Sequence, residues 1–213
     1  MKRIVVGITG ASGILYAKRL LDALSGKAEI HIIISDAAKT VAAYEGISLD
    51  GYPAVYEDNA RLEADVASGS FLYDCMVIVP CSMKTLSAVA NGYADTLIAR
   101  AADVCLKERR RLILVPRETP YNRIHLTNML AAHDAGAVIM PASPPMYTNP
   151  QSVTELADMI VARILDHCGI EHLVELREGF GHAFFVIDGD RAVSSELGDL
   201  QGHDHTVIVM RSV

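Results

Sequence analysis

Residues 3–24 read RIVVGITGASGILYAKRLLDAL and predict a strand, a tight loop and a helix in that order. Residues 3–8 form a short run rich in β-branched side chains, and glycines punctuate the loop that follows. From Ile14 to Leu24 the apolar residues recur at helical spacing. A strand that passes through a glycine-rich loop into a helix is the first part of a βαβ unit, so this stretch favours a parallel sheet covered by helices.

The same alternation continues along the chain. Further strands are predicted at 29–35, 73–80, 111–116 and 137–141, and further helices at 36–45, 82–90, 94–110, 124–133 and 153–168. Strands that alternate with helices indicate an α/β fold with a doubly wound, Rossmann-like or flavodoxin-like parallel sheet flanked by helices. Between the second and third of these five strands, residues 46–72 are predicted to be irregular, with a short helix placed near 61–67.

The pattern changes after Gly169. Residues 183–188 and 205–210 are typical of antiparallel strands with polar, glycine-rich joins, so they do not form another strand–helix unit. We therefore predict an α/β domain at 1–170 and a short, β-like C-terminal tail at 171–213.

Composition excludes several classes of function. The 213 residues carry a net charge of -7, which disfavours nucleic acid as a partner because phosphate backbones attract basic surfaces. Apolar residues make up 51% of the chain, yet no uninterrupted apolar run approaches the roughly 18 residues of a membrane span. We therefore expect no membrane association, and we expect part of the apolar surface to be buried in a homo-oligomer. The first residues contain no signal-like apolar segment, which predicts a cytoplasmic protein.

Cysteine and histidine give no sign of a metal centre. The four cysteines lack a CxxC pair and are expected to be buried free thiols. The Gly202-His203-Asp204-His205 stretch is more typical of a solvated turn than of a metal site. We assign no metal.

Small, hydroxylated or charged residues follow the carboxyl end of each predicted strand, where open α/β sheets bind their ligands. They are Gly10, Ala11 and Ser12, Ser35, Ser82 to Thr85, Arg117 and Glu118, and Tyr147. Such residues let backbone N–H groups and helix N-termini approach a phosphate. The first loop is not GxGxxG, and the second strand ends in Ser35 and not in an acidic ribose-binding residue, so the pattern favours a mononucleotide, FMN, over a dinucleotide.

Three cations at unusual positions predict a second anion site beside the nucleotide. Arg100 and Lys107 are seven residues apart and share a helix face, while Arg163 falls on the Leu156–Ile160 stripe of the last predicted helix. With Arg117 and Tyr147 nearby in the predicted architecture, these residues could hold a small phosphate ester.

Several stretches resemble the UbiX/Pad1 flavin prenyltransferases, formerly regarded as aromatic-acid decarboxylases. They are GITGASGILYAKRLL, VASGSF, IHLTNML, YTNPQSV and the long segment from VIVPCSMKT through RAADVCLKERR to VPRETP. The likeness covers about residues 1–170. It implies an enzyme that joins dimethylallyl phosphate to the N5 and C6 positions of reduced FMN without a metal. The product, prenylated FMN, would serve a UbiD-type decarboxylase.

The resemblance also implies roles for individual residues. FMN binding is implied for Gly10, Ala11, Ser12, Ser35, Ser82, Met83, Lys84, Thr85 and Arg117. Dimethylallyl phosphate binding is implied for Arg100, Lys107, Glu118, Tyr147 and Arg163, the last two from a neighbouring subunit of a homo-oligomer expected to be a dodecamer. Glu45 matches a glutamate that works with Ser12 late in the reaction. Glu118, Glu45 or the released phosphate could accept the flavin C6 proton, and the sequence does not rank them.

Two alternative functions stay open at this point. A flavin-dependent cysteine decarboxylase shares the fold but needs a catalytic histidine after the second strand–helix unit, and no histidine lies between His31 and His125. A non-catalytic flavin-binding subunit is supported only by the tail, which is longer than the family's and lacks its tryptophan.

Overall fold

The computed structural model describes residues 1–147 and 149–172, together with the backbone of the strand residues 187–188 and 191–192. The chain forms two compact units, Met1–Ser143 and Pro144–Val213.

The first unit contains a six-stranded, all-parallel sheet in the order β3-β2-β1-β4-β5-β6. Its strands are β1 (Lys2–Ile8), β2 (Ala28–Ile34), β3 (Val55–Asp58), β4 (Cys75–Cys81), β5 (Arg111–Pro116) and β6 (Val138–Ile139). Its helices are α1 (Ile14–Leu24), α2 (Asp36–Glu45), α3 (Met83–Ala90), α4 (Leu97–Lys107) and α5 (Arg123–Asp134), with a 3-10 turn at Asp65–Ala67. The predicted doubly wound α/β fold is confirmed.

The central strands are apolar throughout because both faces of the sheet are covered. Every residue of β4, CMVIVPC, is buried. Alternate strand residues, such as Ile78 and Leu114, share one buried cluster with Leu86 of α3 and Ile98 of α4. The close packing extends to Gly7 of β1, where a Cβ atom would lie 3.2 Å from the Ile98 side chain.

Strands β1 and β4 pair with each other, and the strand order reverses between them. The chain continues from β1 towards β2 and β3 on one side, and from β4 towards β5 and β6 on the other. At such a switch point the loops after the two strands diverge and leave a crevice outside their carboxyl ends. The fold therefore places the loops after Ile8 and Cys81 side by side.

Strand β3 corrects the prediction that residues 46–72 are irregular. Val55–Asp58 is an edge strand that pairs only with β2, from His31↔Val55 to Ile34↔Asp58. Three of its four residues are exposed, and two are acidic, so it lacks the apolar run that revealed the central strands. The predicted short helix near 61–67 corresponds to the 3-10 turn at Asp65–Ala67.

The second unit contains helix α6 (Val153–Cys168), which begins at an N-cap, Ser152, and ends at Gly169 in the left-handed conformation. Beyond it, β7 (Ile187–Asp188) and β8 (Arg191–Ala192) pair antiparallel, in the sense expected for the tail. The predicted strand at 205–210 and the His203–His205 turn lie outside the described residues. The domain boundary near residue 170 stays a prediction. No helix in the described part of the chain is long and apolar enough to cross a membrane.

Candidate functional site

Thr9 joins the two loops at the switch point. Its side-chain hydroxyl donates to the Pro80 carbonyl at 2.8 Å and accepts from the Ser82 backbone N–H at 2.8 Å. The residue is only 2% exposed, so water does not replace these bonds. One hydroxyl thus fixes the end of β1 against the end of β4.

The loop after β1 depends on two glycines. A Cβ atom on Gly10 would lie 2.4 Å from the Ala37 Cβ, so any larger residue would push the loop away from α2. Gly13 has φ 99°, a conformation that favours glycine. Between them, Ala11 is buried and Ser12 is exposed at the carboxyl edge of the sheet.

Glu45 caps helix α1 from the C-terminal end of α2. Its carboxylate oxygens accept from the backbone N–H groups of Gly13 at 2.7 Å and Ile14 at 2.9 Å. A negative charge at a helix N-terminus is stabilising because the helix dipole is positive there. Glu45 therefore lies one residue from Ser12, its predicted partner, and it occupies the amides that a phosphate at α1 would need.

Two other helix N-termini face the same edge. Ser35 caps α2 by accepting from the Ala38 N–H at 3.2 Å. Ser82 caps α3, with its hydroxyl 3.3 Å from the Thr85 N–H and 3.1 Å from the Thr85 hydroxyl. Lys84, in the first turn of α3, is exposed and lies 3.9 Å from Asp95. These hydroxyls and helix ends form a donor set suited to one phosphate group.

Arg117, which follows β5, reaches across to the first loop. Its Nε donates to the Ser12 carbonyl at 3.1 Å, which leaves the terminal guanidinium nitrogens for other partners. Tyr16 lies close enough to interact with this charge: burial raises the pKa of the Tyr16 phenol, and the Arg117 charge opposes that rise. The two loops predicted to bind a nucleotide are thus bridged by a cation.

An open cavity of about 320 Å³ lies beside Arg117. Its lining consists of Pro116, Arg117, Glu118, Thr119, Tyr121, Ala142 and Ser143. Its volume is near the lower end of the roughly 300–1,000 Å³ typical of small-molecule sites. Glu118 is at the cavity wall, where its Oε1 accepts from the Thr119 N–H at 2.9 Å.

Arg100 and Lys107 lie at opposite ends of α4. Asn59, which follows β3, accepts from the Leu97 N–H at 2.9 Å, so α4 begins at the carboxyl edge. Arg100 is in the first turn and pairs with Asp103 at 2.7 Å. Seven residues of helix span about 10 Å, so Lys107 lies well away from Arg100.

Lys107 is at the amino edge of the sheet. Its ammonium pairs with Glu108 and lies 2.9 Å from the position of a Cβ on Gly69. The nearby Phe71 carbonyl accepts from Arg110 at 2.8 Å, and this segment leads into the start of β4. Within one chain, therefore, Lys107 is not brought together with Arg117.

Tyr147 and Arg163 belong to the second unit. The Tyr147 side chain is exposed, and the Arg163 guanidinium is also exposed and pairs with Asp166 at 2.9 Å. Arg163 therefore differs from its buried neighbour Ile160, and it lies off the buried stripe, which continues through Ile164 to Cys168. Both side chains are available to a partner of the chain.

Thr9 is one of the site residues that the sequence analysis missed, together with the cavity residues Tyr121, Ala142 and Ser143. The signal that could have found it was its position: a hydroxyl between a buried strand and a glycine loop at the carboxyl edge. Among residues 1–147 and 149–172, no group of three or more His, Cys, Asp or Glu residues could hold a metal ion.

Comparisons with known proteins show similarity to flavoproteins. A family model described as Flavoprotein matches residues 1–165. Flavin prenyltransferase UbiX of Methanocaldococcus jannaschii is 46% identical over 182 residues, which cover 83% of this chain and 98% of the relative.

Two solved structures are also similar. The crystal structure of AnUbiX (PadA1) in complex with FMN and dimethylallyl pyrophosphate has a TM-score of 0.74 and 45% identity, over 79% of this chain and 92% of that chain. The dodecameric FMN-dependent UbiX-like decarboxylase of Escherichia coli O157:H7 has a TM-score of 0.76 and 42% identity, over 80% of this chain and 95% of that chain.

Proposed function

We propose a reaction from one premise: this chain belongs to the flavoprotein family and, within it, to the flavin prenyltransferases. The protein binds FMN and transfers the dimethylallyl group of dimethylallyl phosphate to the reduced flavin, which yields prenylated FMN. The observation that carries this proposal is the placement of Arg117 between the Gly10–Gly13 loop and the cavity that contains Glu118. A phosphate-binding edge and a small-substrate cavity meet at that residue.

The overall reaction needs no external oxidant or reductant. The C–O bond of dimethylallyl phosphate breaks, and its electron pair leaves with the phosphate. A C–N bond forms at flavin N5 and a C–C bond at C6, which release two protons. The alkene carbon takes up one proton and the other leaves with the phosphate, so the flavin stays reduced.

The carboxyl edge fits a mononucleotide. Ser35, Ser82 and Thr85 supply hydroxyl groups at two helix N-termini, and Lys84 and Arg117 supply positive charge. We propose that these residues, with Gly10, Ala11, Ser12 and Met83, bind FMN. When bound, reduced FMN supplies the nucleophilic nitrogen, while the protein orients it and stabilises the charge of the leaving phosphate.

Glu118 and Glu45 are the side chains proposed to move protons. Glu118 lines the cavity, and Glu45 lies at the first loop, one residue from Ser12. The released phosphate is a third possible acceptor. The variants Glu118→Gln and Glu45→Gln separate the three. The variant that loses the C6 proton-transfer step identifies the acceptor, and retention of this step in both variants would indicate the phosphate.

Dimethylallyl phosphate is proposed to bind Arg100, Lys107, Glu118, Tyr147 and Arg163. Since Lys107 lies at the amino edge, about a 10 Å length of helix away from Arg100, we propose that another subunit completes the site. The protein is a homo-oligomer under this proposal, and a dodecamer is the expected assembly. A monomer in light scattering at working concentration would contradict it.

The decisive experiment incubates the protein with reduced FMN and dimethylallyl phosphate without oxygen and measures the mass of the flavin product. We expect a mass increase that corresponds to one five-carbon group. Lys107→Ala and Arg100→Ala should abolish transfer and leave FMN binding largely intact, whereas Ser12→Ala and Arg117→Ala should weaken FMN binding as well.

Failure has three recognisable forms. FMN binding without any mass increase would indicate a non-catalytic flavin-binding subunit. Loss of carbon dioxide from a cysteine-containing peptide in place of prenyl transfer would indicate the decarboxylase alternative. Stronger binding of FAD or NAD than of FMN would refute the cofactor assignment.

The product is proposed to be supplied to a UbiD-type decarboxylase in the cytoplasm. Prenylated FMN released by the protein should restore activity to such a decarboxylase purified without its cofactor. Restoration by FMN alone would contradict this link.

A further inference from the structure

The residues that line the cavity beside Arg117 are of two chemical kinds. Arg117, Glu118, Thr119 and Ser143 supply charged or hydroxyl groups. Pro116, Ala142 and Tyr121 supply the remaining wall, and Tyr121 is its one large and aromatic member. A substrate that fits this lining has an anionic end and a short apolar end.

Tyr121 is held in place by the first turn of α5. It directly precedes Asn122, the N-cap of that helix, and Asn122 and His125 exchange hydrogen bonds through their side chains and backbone N–H groups. The Tyr121 ring meets the His125 ring edge-on, with centroids 6.5 Å apart and an interplanar angle of 90°. A capping box therefore fixes the aromatic wall of the cavity.

The phenol also stays neutral near Glu118. Burial raises the pKa of Tyr121, and the negative charge of Glu118 raises it further. A neutral ring presents its electron-rich face without attracting or repelling the substrate as an ion. A positive charge that develops on an allylic carbon is stabilised by such a face within about 6 Å.

We propose that Tyr121 contacts the prenyl group of the substrate and determines which prenyl chain length the cavity accepts. This inference rests on the proposed function, since it assigns the apolar half of the same cavity. Glu118 and the hydroxyl groups of the lining then face the phosphate end of the substrate, and the tyrosine ring faces the five-carbon group.

Binding without turnover tests the contact directly. Protein loaded with oxidised FMN cannot transfer the group, so calorimetry with dimethylallyl phosphate measures affinity alone, and inorganic phosphate serves as the ligand without a hydrocarbon. We expect Tyr121→Ala to weaken dimethylallyl phosphate binding about tenfold, because the five-carbon group loses apolar contact, and to leave phosphate binding unchanged. Tyr121→Phe should match the wild type. The exposed Tyr93, which does not line the cavity, provides the matched control Tyr93→Ala.

Turnover tests the specificity. Tyr121→Ala should raise the kcat/KM for geranyl phosphate relative to dimethylallyl phosphate, because the cavity gains length. Tyr121→Leu keeps a bulky apolar wall but removes the aromatic face, so it should retain binding and lower kcat about tenfold. If the Tyr121→Ala protein does not fold, the Tyr121→Leu protein still tests the role of the aromatic ring.

Two results overturn the inference. One is a Tyr121→Ala protein that binds dimethylallyl phosphate and selects chain length as the wild type does. The other is an equal loss of dimethylallyl phosphate and inorganic phosphate binding, which indicates a structural role. The proposed function fails separately, if the wild-type protein yields no prenylated flavin from either substrate.

Discussion

At the residue scale, the candidate site depends on polar groups that are not among the residues predicted to bind a ligand. Thr9 is the clearest example, because its hydroxyl satisfies one donor and one acceptor from the β4 end at once. Such a group controls where the neighbouring loops lie. Its effect on function is therefore exerted through Ser82 and the first turn of α3.

Replacement of Thr9 by valine tests this role. Thr9→Val keeps the shape but leaves the half-buried Ser82 N–H without its acceptor, so we expect a loss of about 1–3 kcal/mol in the free energy of unfolding and weaker FMN binding. Urea denaturation and FMN titration measure the two effects. Thr127→Val is the matched control, since its hydroxyl bonds only to the Arg123 carbonyl on an exposed helix face. Equal losses in both variants would contradict the bridging role.

Glu45 supports a second prediction. Glu45→Gln leaves one acceptor for two N–H groups and removes a negative charge from the α1 N-terminus, so we expect a loss of about 1 kcal/mol in stability. Glu63→Gln, on an exposed carboxylate that pairs with Arg61, should change stability by less than about 0.5 kcal/mol. If thermal denaturation ranks the two variants the other way, Glu45 is not a structural cap.

Sequence reasoning found most residues at the carboxyl edge because strand ends are visible as breaks in apolar runs. Ser12, Ser82 and Arg117 each follow such a break, and the structure brings them together. Sequence reasoning did not predict that Arg100 and Lys107 lie at opposite edges of the sheet. Helical periodicity reports which face a residue occupies, but the direction of α4 across the sheet depends on tertiary packing.

At the element scale, the central strands were predictable and the edge strand was not. The buried strand β4 is apolar at every position, whereas β3 has exposed side chains and carries Glu57 and Asp58. Edge strands are kept short and charged because unpaired edges aggregate, which removes the periodic signal that identifies a strand.

Two buried cysteines, Cys81 of β4 and Cys105 of α4, are expected to be chemically unreactive. Burial raises the pKa of the Cys81 thiol and of the Cys105 thiol to about 12, from an ordinary value of 9.0. Both thiols are therefore protonated at pH 8. We expect iodoacetamide to label neither thiol in the native protein and both thiols in urea, and the mass of the intact protein measures this labelling. Since the thiolate forms more readily in the unfolded chain, stability should be constant below about pH 9 and fall as the pH rises towards 12. Rapid labelling of the native protein at pH 8 would count against this packing.

At the scale of the whole molecule, the two edges of the sheet carry different parts of the proposed chemistry. Arg117 and the cavity are at the carboxyl edge, and Lys107 is at the amino edge beside Gly69. A closed assembly of identical chains can bring one edge of each subunit to the other edge of its neighbour. The exposed apolar residues Ile124, Leu126 and Leu130 of α5 are further surface that such an assembly could bury.

The placement of Lys107 at the far edge has a genetic consequence. Under the proposed shared site, Lys107→Ala and Arg117→Ala should both be inactive, and each keeps the half of the site that the other has lost. Co-expressed as mixed oligomers, they should regain part of the wild-type activity, because some sites then combine an intact Arg117 from one chain with an intact Lys107 from another. Two different Lys107 variants should show no such rescue. Interallelic complementation is thus the property expected of the gene if the site is shared between chains, and its absence would mean that each chain serves its own site alone.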